Sequence, residues 1–96
     1  MRFEGRTEER VTMAIPLCLV AAEKPASAEQ AMTVNVSPHG VRVVTRRRWR
    51  PDEQPRLASR SGEFRTQARV VYCEPQTDGH FCIGLKFQPA FMEWRR

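Results

Sequence analysis

Within TVNVSPHGVRVV, Thr33 to Val44, the side chains equipped to recognise a ligand are Asn35 and Ser37. Asparagine offers a carbonyl acceptor and an amide donor, and a serine hydroxyl does both. Two positions apart on a strand, they lie ~7 Å apart on one face. With Val34 and Val36 turned to the core, that pair projects outward and suits the edge of a flat heterocycle. Gly40 closes the stretch; lacking a Cβ, it permits a turn with positive φ or the close approach of a ligand. A structural reading competes. Asn35 and Ser37 can satisfy backbone groups beside the turn, with Gly40 serving the turn alone. Asn35-Val36-Ser37 also matches a glycosylation acceptor, but nothing in the sequence indicates secretion. His39 reads as a solvated loop residue.

A second set of chemistry-bearing residues precedes the first apolar segment. Arg6-Thr-Glu-Glu-Arg10 puts two guanidinium groups on a short arm. Such a pair can clamp phosphates, stack on a purine or fork onto the O6/N7 edge of guanine. The spacing alone decides nothing, because Arg2/Arg6, Arg42/Arg46, Arg46/Arg50, Arg56/Arg60 and Arg65/Arg69 share it. Context sets Arg6 and Arg10 apart: an arm, then Val11 opening a strand, then NVSPHG one strand later. Arg42 joins the face of Asn35 only if the turn preserves the register, and would then be a phosphate contact.

The elements that must position these residues read as strands. Val11, Met13, Ile15, Leu17 and Leu19 alternate with Thr12, Ala14, Pro16 and Cys18, the period of a half-buried strand. Pro16 marks an edge or a bulge. Met32 to Ser37 and Val41 to Thr45 form the next two strands, joined by the PHG turn. Arg46 to Pro55 is a basic connection, and Arg56 to Ser59 a weak fourth strand. Phe64 to Cys73 reads as the fifth strand, with PQTDG as its turn. In the last strand Phe81, Ile83, Leu85 and Phe87 point one way, and Cys82, Gly84 and Lys86 the other. After Pro89 the segment AFMEWRR starts a short helix. Close-spaced strands without a long helix predict an all-β fold, an antiparallel sheet curled into a small barrel. Residues 1 to 10 form an arm and residues 11 to 96 the barrel domain.

Ninety-six residues suffice for one domain and are too few for two. No apolar run approaches the ~20 residues of a membrane span. The net charge is +5, the pI about 9.9, and 14 of the 16 basic side chains are arginine. Arginine's planar fork grips phosphate and stacks on bases, so an anionic partner is expected. Cys18, Cys73 and Cys82 make an odd count that reads as reduced cytosolic thiols. Cys73, His80 and Cys82 match no common zinc spacing, and no metal is expected. No Ser/His/Asp set, paired acids or glycine-rich phosphate loop stands out, so the chain does not read as an enzyme.

Arg6-Thr-Glu-Glu-Arg10 at the entrance to the first strand, followed by Asn35-Val36-Ser37-Pro38-His39-Gly40 at the end of the next, resembles the PilZ family of bacterial cyclic di-GMP receptor domains. Its pattern is RxxxR and then (D/N)xSxxG, and FCIGLKF looks like its last strand. The resemblance covers about residues 6 to 88. It implies a six-stranded antiparallel barrel with a C-terminal helix, cyclic di-GMP as ligand and no cofactor. Arg6 and Arg10 would hold phosphates and guanine faces, Asn35 and Ser37 would hydrogen-bond a guanine, and Gly40 would leave room for it. Asn at position 35 is within the pattern, although it lacks the charge of Asp. The expected role is a cytoplasmic receptor or adaptor whose arm orders on the ligand and presents a surface to a downstream protein. Two alternatives stand beside it. One is a basic nucleic-acid-binding barrel using Arg46-Arg-Arg-Trp-Arg50, where the competing reading is a solvated loop with Trp49 tucked onto the barrel. The other is a PilZ-like interaction module that binds no nucleotide.

Overall fold

A computed structural model describes residues 11–21, 28–60 and 65–88 of the chain. These form seven strands: β1 (Val11–Thr12), β2 (Pro16–Val20), β3 (Glu29–Val36), β4 (Gly40–Thr45), β5 (Arg56–Ser59), β6 (Arg65–Pro75) and β7 (Phe81–Gln88). The pairs β3-β2-β5-β6-β7-β4 are hydrogen-bonded in that order, and β4 returns to β3. All pairs are antiparallel, so the six strands β2 to β7 close a barrel. β1 is an additional two-residue strand on β3. The all-β barrel is thus as the alternation predicts. The arm at 1 to 10 and the helix expected after Pro89 lie outside the described residues.

Period-two alternation builds the interior. Leu17 and Leu19, Val41 and Val43, and Ile83, Leu85 and Phe87 are all buried, joined by Leu57, Ala68 and Val70. Burial of apolar surface at ~25 cal/mol per Å² supplies the drive for closure. Trp49 belongs to this core, at 1% exposure. Its indole N–H donates to Glu29 Oε1 at 3.2 Å, and the Arg47 guanidinium lies 3.8 Å from its ring centroid. Glu29 Oε2 in turn accepts the backbone N–H of Arg46 at 2.5 Å. In RRRWR, therefore, the tryptophan is a packed anchor with arginine laid over it. It offers no open stacking platform.

The connection after Trp49 is fastened to β6. Asp52 N–H donates to Val70 O at 2.8 Å, and Val70 N–H donates to Glu53 O at 2.8 Å. Asp52 takes the left-handed conformation this turn needs, with φ 76°. Glu53 accepts from Arg50 N–H at 2.7 Å and from Arg47 Nη2 at 3.0 Å. Burial pushes its carboxyl pKa up, but these two donors outweigh it and hold the group below its ordinary value.

Alternation fails at two bulges. Between Thr33 and Asn35 the register against β4 shifts, so β3 carries one extra residue there. Val34 consequently faces outward, 38% exposed, while Thr33 is buried. This corrects the expectation that Val34 and Val36 share the core face; Val36 alone of the two points in. Thr33 suits the interior because β1 and β2 run as two pieces of one interrupted strand alongside β3. Its hydroxyl donates to Met13 O and accepts from Ile15 N–H, filling the break in the ladder. On β6 the register against β7 shifts between Val70 and Tyr72, and Val71 is turned out to 48% exposure. Each bulge puts two consecutive residues on the outer face.

Candidate functional site

The two bulges align one row of outward residues across the sheet. Thr12 pairs with Asn35, Asn35 with Arg42, Arg42 with Gly84, and Gly84 with Tyr72. The turn therefore preserves the register that the Arg42 expectation required: Asn35 and Arg42 are cross-strand neighbours. Arg42 is exposed and Asn35 half-buried.

Tyr72 packs directly on Gly84. A Cβ at position 84 would lie 2.3 Å from the phenol ring, so only glycine leaves room for it there. Arg42 reaches across from the other side. Its Nε donates to Tyr72 Oη at 2.8 Å, with the guanidinium carbon 5.9 Å from the ring centroid. That hydrogen bond raises the pKa of Arg42 further above its ordinary range.

The PHG turn is locked by Ser37. Ser37 N–H donates to Gly40 O at 2.9 Å. The hydroxyl accepts Gly40 N–H at 3.2 Å and donates to Gly40 O at 3.3 Å. At 2% exposure, Ser37 does not project beside Asn35 as the sequence spacing suggested. β3 ends at Val36, so Ser37 already belongs to the turn, which takes up its hydroxyl. Gly40 has a reason within the fold itself. A Cβ there would lie 2.3 Å from the Leu85 carbonyl oxygen, so glycine serves the close approach of β7. Its φ is not positive; among the described residues Gly79 is the glycine in that region.

Turn and row enclose a shallow pocket of ≈ 200 Å³, lined among others by Ser37, His39, Gly40, Arg42, Tyr72 and Lys86. That is smaller than the about 300–1,000 Å³ typical of an enclosed small-molecule site. It suits part of a ligand. Asn35 lies one strand from Arg42, outside this lining. Arg6 and Arg10 fall outside the described residues. The strand they precede begins at Val11, which pairs with Val36, the residue before Ser37. The chain thus joins the barrel beside the turn.

Tyr72 and Lys86 line this pocket and are not among the candidates the sequence offers. The signal was the run Val70-Val71-Tyr72, whose three consecutive apolar or aromatic residues break alternation as a bulge does. A second depression, ≈ 370 Å³, is lined by Met32, Val44, Arg46, Arg60 and His80 among others and contains none of the motif residues. Among the described residues no cluster of His, Cys, Asp and Glu could hold a metal ion. The three cysteines are free, and burial pushes the Cys82 thiol up, away from the reactive thiolate.

A family model described as the PilZ domain matches residues 4–93. This chain belongs to the PilZ domain family. PilZ domains are generally non-enzymatic receptor or adaptor domains for cyclic di-GMP. Among solved structures, the Bacillus subtilis inhibitor of motility (MotI/DgrA) has the same fold, with a TM-score of 0.70 at 19% identity. The match covers 91% of this PilZ chain and 44% of that one, so the chain spans less than half of that protein's length. No curated protein sequence matches this one. Among the described residues, no helix is long and apolar enough to cross a membrane.

Proposed function

We propose that this PilZ domain is a cytoplasmic receptor for cyclic di-GMP that works without catalysis. The observation that carries the reading is the alignment of Asn35 with Arg42 on one outer row, next to the Ser37–Gly40 turn and the point where the chain enters the barrel. Asn35 hydrogen-bonds a guanine edge, and Arg42 contacts a phosphate. Ser37 holds the turn in shape, and Gly40 lets β7 come close enough to floor the pocket. Arg6 and Arg10 clamp the ligand from the leading arm, with phosphate and stacking contacts that arginine makes better than lysine. The pocket accommodates only part of a cyclic dinucleotide, and in this reading the arm covers the rest. Binding then orders residues 1 to 10 and presents a new surface to a downstream protein, a disorder-to-order switch.

Calorimetry with cyclic di-GMP tests this. Binding by the wild type and a loss of at least about tenfold in both Arg6→Ala and Asn35→Ala are expected, the effect of removing a charge-assisted or base-edge contact. Intact affinity in both variants removes the site. A wild type that binds no cyclic di-GMP leaves a PilZ fold acting as a plain interaction module.

A further inference from the structure

We infer that Tyr72 is a positioning residue that pre-sets Arg42 for the phosphodiester of the ligand; this rests on the cyclic di-GMP reading. An arginine side chain has many rotamers, and much of that freedom is lost when it is fixed on a ligand. Fixing it beforehand raises affinity without any new ligand contact. Three features of the outer row do this. The bulge at Val71 turns Tyr72 onto the same face as Arg42. Gly84 has no side chain, so the ring lies flat against the sheet between them. The phenol oxygen then accepts specifically from Nε, the inner nitrogen of the guanidinium, at 2.8 Å.

That choice of nitrogen matters. With Nε engaged, the two terminal nitrogens form the outward end of the fork, and neither has a partner among the described residues. This is the end that makes paired hydrogen bonds to phosphate oxygens. Lys86, another lining residue of the pocket, adds a second positive charge on the same anion. Tyr72 touches the ligand only through Arg42 in this role.

The test is a double-substitution cycle on the full chain, read by calorimetry with cyclic di-GMP and by NMR of the arginine Nε–H in the free protein. Tyr72→Phe keeps the ring and removes only the acceptor. It should weaken binding about fivefold, the size of one net hydrogen bond, with an unchanged melting temperature. In an Arg42→Gln background the same substitution should change nothing. In the free wild type the Arg42 Nε–H should exchange slowly, and in Tyr72→Phe rapidly. An equal effect of Tyr72→Phe in both backgrounds, no effect in either, or a rapidly exchanging Nε–H in the wild type overturns the positioning role while leaving the receptor reading intact. A wild type that fails to bind overturns both.

Discussion

Positions 40 and 84 are both glycine, yet they are glycine for different reasons, and substitution separates them. At Gly40 the obstacle to a methyl group is a backbone carbonyl of β7, which cannot swing aside. Gly40→Ala should therefore cost about 1–3 kcal/mol in urea unfolding, as overpacking does. Unchanged stability with lost ligand binding would return Gly40 to the ligand. At Gly84 the obstacle is the Tyr72 ring, which can rotate out. Gly84→Ala should cost less than about 1 kcal/mol but free the Arg42 Nε–H, which NMR detects. The hydrogen-bonding character of Asn35 and Ser37 was legible in the sequence because that capacity belongs to the residue itself, whereas Arg6 and Arg10 lie outside the described residues. The reason for Gly40 was not legible, since it lies in Leu85, far along the chain and adjacent only through the β4–β7 ladder. The locking role of Ser37 was visible as one of two readings, and its hydrogen bonds to Gly40 come to light only with the turn in place.

At the scale of elements, alternation predicted the strands well where one face was plainly apolar. The last strand was read with Phe81, Ile83, Leu85 and Phe87 together, and three of these are buried with Phe81 packed against them. The bulges escaped because Val34 and Val36, like Val70 and Val71, are equally apolar, and which one turns inward depends on a partner strand. Thr33 shows what the pattern hides: an inward hydroxyl that looks like a flaw until its partners, Met13 and Ile15, are known. Thr33→Val keeps the shape and removes both bonds, leaving Met13 O and Ile15 N–H without their partner. We expect a cost of about 1–3 kcal/mol in chemical denaturation, with faster amide exchange at Ile15. Exchange as slow as in the wild type would show that the break is held by something else.

Taken as a whole molecule, the chain has a basic surface that is partly spoken for. Arg47 pairs with Glu53 and stacks on Trp49, and Arg69 pairs with Asp52. Trp49→Ala should cost about 3–5 kcal/mol, a core truncation, so it acts on the entire fold and not on a nucleic-acid contact alone. Glu53 gives the pH dependence. Its folded pKa lies below the ordinary 4.5, so its contribution to stability is fully present above that value and fades as pH falls through the folded pKa. Wild type and Glu53→Gln should therefore differ in melting temperature at pH 7 and converge in acid; a constant gap would contradict the assignment. In the proposed function the ligand sits on the outer row between the PHG turn and Tyr72. Titrating the isotope-labelled domain with cyclic di-GMP and mapping amide shift changes reads that place directly. The proposed site predicts the largest changes at Asn35, Gly40, Arg42 and Gly84, with little at Met32, Arg46 and His80. Changes centred on the second depression, or saturating binding that leaves the row unmoved, would contradict it.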